Sequence, residues 1–203
     1  MRILLTGASG YIGKRLLPVL VDNGHDVICC VRDIKRFTPP DSLKAKIKII
    51  QVDLLDKASL NNIPKDIDGA FYLVHSMSAS SDYQILEQQS AVNFREAMSH
   101  TKVQHMVYLS GIVNESSLSE HLTSRKNVEI ELGKGNYNLT TLRAGIIVGS
   151  GSASFEIIRD LVEKLPVMIA PKWLNSRSQP LAVRNVIQYL TGVILKTELY
   201  NKS

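Results

Sequence analysis

The chain opens with a strand-like apolar run, Met1–Leu5. Thr6-Gly7-Ala8-Ser9-Gly10-Tyr11-Ile12-Gly13 follows at once, leading into a helix-like stretch from Tyr11 to about Asn23. A strand that passes through three glycines into a helix leaves the backbone few routes. Gly7 permits a tight turn off the strand. Gly10 lets backbone N–H groups reach an anion with no Cβ in the way, and Gly13 lets the helix pack close to the sheet. The helix start adds oriented donors and a partial positive charge. Together these features suit a dinucleotide pyrophosphate, so Gly7, Ser9, Gly10, Tyr11, Ile12 and Gly13 are candidate cofactor contacts. The alternative, an ordinary tight turn, does not account for the strand before it and the helix after it.

Apolar β-branched runs then alternate with helical patterns. The strands read are Arg2–Leu5, Val27–Val31, Ile47–Val52, Ala70–Val74, His105–Ser110 and Thr140–Ile147. The helices between them are Tyr11–Asn23, Lys57–Asn61, Tyr83–His100 and about Leu122–Lys134. Near-continuous apolar strands separated by helices indicate a parallel sheet covered on both faces, and right-handed crossovers make it doubly wound. Ligands of such sheets bind at the carboxyl ends of the strands, where the strand order reverses. The last fifty or so residues are less regular. Phe155–Leu165 reads as an amphipathic helix, Val167–Ala170 as a short strand and Arg184–Leu195 as a final helix; Pro166, Pro171, Trp173 and Pro180 mark a loop. The expectation is an α/β fold with a small irregular C-terminal cap. Residues 1–203 form one domain, and residues 151–203 cover the crevice.

A chain of 203 residues is long enough for one such core, and 44% hydrophobic with 21% charged residues is a globular balance. No apolar stretch reaches the length of a transmembrane helix, and the N-terminus reads as the first strand rather than a signal peptide. Cys29 and Cys30 are adjacent on one strand and so point to opposite faces. That geometry argues against a disulfide and offers no metal site, and two small buried thiols fit a cytoplasmic protein. The net charge of +5 comes from scattered lysines and arginines without aromatic interleaving, which argues against nucleic acid.

The TGASGYIG segment has G-x-x-G-x-x-G spacing and resembles the short-chain dehydrogenase/reductase superfamily in its extended or atypical branches. The resemblance implies a Rossmann-like NAD(P)-binding fold. In NAD-preferring members an acid ends the second strand. Here Val31 takes that place and Arg32 follows, a residue able to pair with a 2′-phosphate and stack on adenine. NADP is therefore the preferred cofactor. NAD stays open because Asp33, about twenty residues beyond Gly13, can meet a ribose hydroxyl, and Arg32 can equally be a surface cation. Asp53 and Leu54 follow the third strand, where relatives contact the adenine amino group; a helix cap, which Asp56 fills as well, is the other role for Asp53. Val74 and His75, ahead of Ser76-Met77, fall beside the nicotinamide-side ribose. His75 either moves a proton or lines the loop.

Ser110 ends the fifth strand in Tyr108-Leu109-Ser110-Gly111, where the superfamily places a serine that holds the substrate carbonyl. The tyrosine and lysine that follow in the superfamily, four residues apart, are absent. The matching stretch is His121-Leu122-Thr123-Ser124-Arg125-Lys126-Asn127-Val128-Glu129, with His121 in the tyrosine place and Arg125 in the lysine place. Arginine still binds ribose or phosphate but stays charged, and histidine relays protons near neutral pH. Both can also be plain helix-surface residues. The segments Asn138–Gly151 and Ser178–Val186, the latter with Asn185 for the usual acid, narrow the resemblance to NmrA-like and complex-I-subunit-like NAD(P)-binding proteins, often described as nucleoside-diphosphate-sugar epimerases. What the resemblance implies is an NAD(P)-dependent oxidoreductase with Ser110, His121 and Arg125 as catalytic group and Arg125 also on the cofactor. The alternative is a non-catalytic redox sensor or assembly factor, and nucleotide-sugar epimerisation is the weakest version. No residue set names the small-molecule substrate. A homodimer through Tyr83–His100 is left open, and longer relatives with an added C-terminal domain suggest a short version or a fragment.

Overall fold

Strict alternation of buried apolar residues builds the sheet. In the first strand Ile3 and Leu5 face one side and Leu4 the other; in the second, Val27, Cys29 and Val31 join Ile3 and Leu5, while Ile28 and Cys30 join Leu4. The computed structural model describes residues 1–75, 83–112, 120–164 and 179–203, without the side chains of residues 120, 153 and 154. In chain order the elements are β1 (Arg2–Thr6), α1 (Tyr11–Asp22), β2 (Asp26–Val31), α2 (Asp41–Lys44), β3 (Ile47–Gln51), β4 (Gly69–Tyr72), α3 (Tyr83–Ser99), β5 (His105–Gly111), α4 (Glu120–Leu132), β6 (Asn138–Ala144), β7 (Ile147–Val148), α5 (Ala153–Lys164), β8 (Leu181–Ala182) and α6 (Val183–Val193). Six strands form one parallel sheet in the order β3-β2-β1-β4-β5-β6. The chain winds outward from β1 in both directions, so the switch in strand order lies between β1 and β4.

Each face has its own helical layer. Leu16, Leu17 and Leu20 of α1 and Val186, Ile187 and Leu190 of α6 cover the Ile3–Leu5 side. Ala91, Phe94 and Met98 of α3 and Val128 and Leu132 of α4 cover the Leu4 side. Cys29 and Cys30 lie in opposite layers as free thiols, and burial pushes both up, Cys29 to about 12. Of residues 151–203, α6 is thus built into the core beside α1.

Several elements differ from the sequence expectation. The helix expected over Lys57–Asn61 is a 3₁₀ turn, Ser59–Asn62. The Asp53 carboxylate accepts from the Leu55 N–H, and that of Asp56 from the Ala58 N–H, each at 3.0 Å. Such local bonds offer the backbone an alternative to the helix. The short α2, which the sequence expectation did not include, follows Pro39-Pro40. The strand expected over Thr140–Ile147 breaks after Ala144. A Cβ on Gly145 would lie 2.8 Å from the Gln179 carbonyl oxygen, and beyond this crossing β7 leaves the main sheet to pair in parallel with β8. The expected strand Val167–Ala170, with Pro166, Pro171 and Trp173, lies outside the described residues.

The far edge of the sheet is tied down through His105. Its buried ring accepts from the Leu195 N–H at Nδ1 (2.8 Å), so the proton sits on Nε2 and is donated to Thr140 Oγ1 (2.8 Å). Thr140 in turn donates to the Leu199 carbonyl. Leu195 has φ +58°, an unfavourable value for leucine that this bond helps to hold. Beyond it the Thr141 N–H donates to Lys202 O and the Leu139 N–H to Asn201 Oδ1, covering the edge of β6. Burial pushes the His105 imidazole down to about 4. A histidine depressed in the folded state contributes stability above its unfolded value that is lost as pH falls from about 6.5 toward 4. Urea unfolding of the wild type is expected to lose about 2 kcal/mol more between pH 7 and pH 5 than that of His105→Gln. Parallel pH profiles would show that the ring does not hold this corner in its neutral form.

Candidate cofactor and active site

The glycine-rich loop is built by three different spatial demands. Gly7 has φ +66°, and a Cβ there would lie 2.8 Å from the Leu73 carbonyl oxygen at the end of β4. Gly10 closes the turn by donating to Gly7 O (2.9 Å) and accepts from the Lys14 N–H (3.0 Å). Gly13 is the tightest: a Cβ would lie 2.2 Å from Gly7 O and 2.8 Å from Ala8 Cα. The helix therefore packs on the loop's own backbone. Thr6, ahead of the turn, donates to Phe71 O (2.9 Å) and accepts from the Leu73 N–H (3.1 Å), tying β1 to β4 at the switch point.

The start of α1 is bare. No side chain caps it, and its first turn holds no acid. The N–H groups of Tyr11, Ile12 and Gly13 precede the first intrahelical bond and face the exposed Ser9-Gly10 tip. Backbone donors with no Cβ over them and a positive helix end fit a pyrophosphate. The side chain of Tyr11 turns the other way. Its hydroxyl is buried with no hydrogen-bond partner among the described residues, and a Cβ on Gly149 would meet it at 2.7 Å. The Arg15 guanidinium lies 3.9 Å from the Tyr11 ring centroid and donates to Ser150 O (2.6 Å). Tyr11 and Arg15 thus fasten the loop after β7 onto α1, a role the motif alone does not reveal.

At the end of β2, Arg32 is exposed and makes no hydrogen bond or ion pair with the described residues. Asp33 is exposed too, but its carboxylate caps the 3₁₀ turn Ile34–Arg36 by accepting from the Lys35 N–H (2.9 Å). Of this pair, Arg32 has the freer side chain. Asp53 is half-buried, with one carboxylate oxygen in the Leu55 turn. Leu54 is buried in the core, and its carbonyl accepts from Asn93 Nδ2 of α3 (2.8 Å).

Across the switch point, Ser110 is buried on the α3–α4 side of β5, next to the Tyr108 hydroxyl. Two residues earlier Tyr108 donates to the Arg125 carbonyl (3.4 Å), pinning the first turns of α4 to the sheet. The half-buried Arg125 lies close enough to lower the phenols of Tyr72 and Tyr108, although burial dominates and leaves both raised. His75 faces solvent on one side, but the protein around it and then the Arg125 charge push its imidazole down to about 4. Val74 packs against the core just before it. The structure therefore gathers Ser110, Arg125, His75 and Tyr108 around one end of the sheet. His121 is placed apart: its exposed ring stacks on Tyr83, centroids 4.9 Å apart, without a hydrogen bond to Ser110. Tyr83, Tyr108 and the buried Glu87, which accepts from the Ser124 hydroxyl, were not legible as site residues. Glu87 sits on a helix whose polar residues look alike in sequence. Ser76 and Met77 lie outside the described residues. Among the described residues no helix is long and apolar enough to cross a membrane, and no cluster of His, Cys, Asp or Glu could hold a metal ion.

Comparison with known proteins agrees with the fold. Residues 7–138 match the family described as NAD(P)H-binding. An uncharacterised protein of Saccharomyces cerevisiae is 29% identical over 100 residues, covering 48% of this chain and 34% of its own. Tetraketide alpha-pyrone reductase 2 of Arabidopsis thaliana is 28% identical over 90 residues, covering 41% of this chain and 28% of its own. The matched segments thus span about a third of these relatives. Among solved structures, a nucleoside-diphosphate-sugar epimerase from Staphylococcus aureus superposes with TM-score 0.81 at 17% identity, over 100% of this chain and 69% of its own. UDP-glucuronic acid 4-epimerase from Bacillus cereus, in complex with UDP-glucuronic acid and NAD, gives 0.72 at 18%, over 100% and 76%.

The glycine geometry gives a graded expectation. Gly13→Ala forces backbone apart and is expected to destabilise by about 1–3 kcal/mol, with loss of dinucleotide binding. Gly10→Ala, whose Cβ would meet Gly7 O at 3.1 Å, should destabilise less. Urea midpoints of the two variants in the reverse order would refute this reading of the loop.

Proposed function

The chain belongs to the NAD(P)H-binding family, and from that premise we propose that it is an NAD(P)-dependent oxidoreductase of the atypical short-chain type that acts on a small carbonyl compound. The observation that carries the reading is the bare start of α1 at the switch point between β1 and β4, where the donor set suits a pyrophosphate. In this reading residues 1–203 are one cofactor-binding domain; Gly151 lies beside Tyr11 and Arg15 at the start of α1, while residues 195–202 pack against the starts of β5 and β6 at the other end of the sheet. The backbone around Gly7, Ser9, Gly10, Tyr11, Ile12 and Gly13 holds the diphosphate. Arg32 pairs with a 2′-phosphate, which makes NADP the preferred form and leaves NAD second. Asp53 and the Leu54 backbone meet the adenine, and Val74 and His75 border the nicotinamide-side ribose.

When bound, the nicotinamide supplies or accepts a hydride. The protein's part is to place a carbonyl and manage one proton. Ser110 donates its buried hydroxyl to the substrate oxygen. Arg125 holds ribose or phosphate with a charge that does not titrate. His121 delivers the proton to the substrate oxygen, and its stack on Tyr83 fixes the ring plane.

One observation favours a second reading, a cofactor-binding sensor or assembly factor without turnover: His121 is exposed and makes no bond to Ser110. Nucleotide-sugar epimerisation, the activity named for the structural neighbours, is the weaker enzyme version because His121 stands where that chemistry relies on a tyrosine.

Calorimetric titration with NADPH, NADP⁺, NADH and NAD⁺ decides the first point. NADPH is expected to bind more tightly than NADH, and Arg32→Ala to weaken NADPH at least tenfold while leaving NADH unchanged. No binding by any form would overturn the proposal. An aldehyde and quinone screen decides the second: turnover that falls about a hundredfold in His121→Ala supports the enzyme, and tight binding without turnover supports the sensor.

A further inference from the structure

We infer that Glu87 is a positioning residue for the nicotinamide-side site, holding Arg125 in place through the neighbouring Ser124. The inference rests on the reading of Arg125 as a cofactor clamp. Glu87 lies in α3 and is buried, 6% exposed; Ser124 lies in α4 and is 2% exposed. The Ser124 hydroxyl donates to Glu87 Oε2, a bond between the two helices. Arg125 is the next residue. Ser124 and Val128, one turn apart, face α3 and the core, which leaves Arg125 turned about 100° away from that contact.

The carboxylate also shares a neighbourhood with the guanidinium. Tyr72, His75 and Tyr108 feel both charges, with opposite effects from Glu87 and Arg125. They lie on or just after β4 and β5, so the two charges converge on the same corner from α3 and α4. An arginine there cannot shed its charge when partly buried, and a nearby carboxylate offsets that penalty. The turn that carries it is then held at two points: the Arg125 carbonyl by Tyr108 and the Ser124 hydroxyl by Glu87. Without Glu87 the turn loses the Ser124 anchor, and the corner loses the charge that opposes Arg125 at Tyr72, His75 and Tyr108.

The test is calorimetric binding of NADPH to the full chain as wild type, Glu87→Ala, Glu87→Gln, Arg125→Ala and the Glu87→Ala/Arg125→Ala double variant, each first checked for cooperative thermal unfolding. Glu87→Ala is expected to weaken binding about tenfold. Glu87→Gln keeps an acceptor for Ser124 and is expected to recover most of that loss; it also serves if the alanine variant does not fold. Arg125→Ala should weaken binding at least as much as Glu87→Ala, and the double variant should be no weaker than Arg125→Ala alone. Wild-type affinity in Glu87→Ala, or a further tenfold loss on adding it to Arg125→Ala, would overturn the inference and leave the proposed function standing. A wild-type chain that binds no NADPH, or Arg125→Ala at wild-type affinity, would instead remove the clamp reading and the inference with it.

Discussion

The first turn of α1 lies so close to Gly7 and Ala8 that no side chain fits between them, and much of the molecule follows from that contact. It sets the direction in which α1 leaves β1. That direction lays Leu16, Leu17 and Leu20 over Ile3 and Leu5, which gives α6 a surface to pack on. It also carries Tyr11 and Arg15 to the loop after β7, where Arg15 holds the Ser150 carbonyl. The same turn leaves three backbone N–H groups without an intrahelical acceptor. Core and binding surface are therefore products of one constraint, and a side chain at residue 13 would disturb both. Thr6 completes the device by bonding to both sides of the β4 end, keeping the strand edges together where the order reverses.

The parallel sheet was legible because both of its faces are buried. Runs such as Asp26–Val31 and His105–Gly111 carry apolar residues at nearly every position, a pattern that half-exposed strands do not show. The glycine loop was legible because each glycine answers a steric demand that no other residue meets. What escaped was decided by local polar bonds or by partners distant in sequence. The turn at Ser59–Asn62 is held by Asp53 and Asp56, both bonding to backbone within two residues. The break after Ala144 depends on Gln179, more than thirty residues away. His105 sits in an apolar strand and reads as an ordinary core position. Its function as a latch for Leu195 appears only once the tail lies beside β5 and β6.

The site divides along the same line. The spacing of His121 and Arg125 on α4 was readable, and the structure carries Arg125 toward Ser110, His75 and Tyr108. His121 makes no hydrogen bond to Ser110, and its ring stacks on Tyr83 at the start of α3. Stacking is indifferent to which ring nitrogen carries a proton, so the contact is compatible both with a proton relay and with a purely structural ring. The distinction between an enzyme and a sensor thus rests on one side chain's freedom to turn.

Replacing a lysine by an arginine in such a place changes more than one residue. A buried lysine can lose its proton when its surroundings disfavour charge, and that flexibility is what lets it tune a neighbouring tyrosine. Arginine has no such escape. Its charge must be met by solvent, by a bound anion or by a protein carboxylate, and here the carboxylate on hand is Glu87, already engaged with Ser124. The corner then carries a standing positive charge close to His75, whose imidazole is pushed down to about 4 by the protein around it and then by the Arg125 charge. Such a site is suited to holding an anionic cofactor over a wide pH range. In the proposed reading α4 then contributes a fixed charge for the cofactor, and the proton for the substrate oxygen comes from His121 on the same helix.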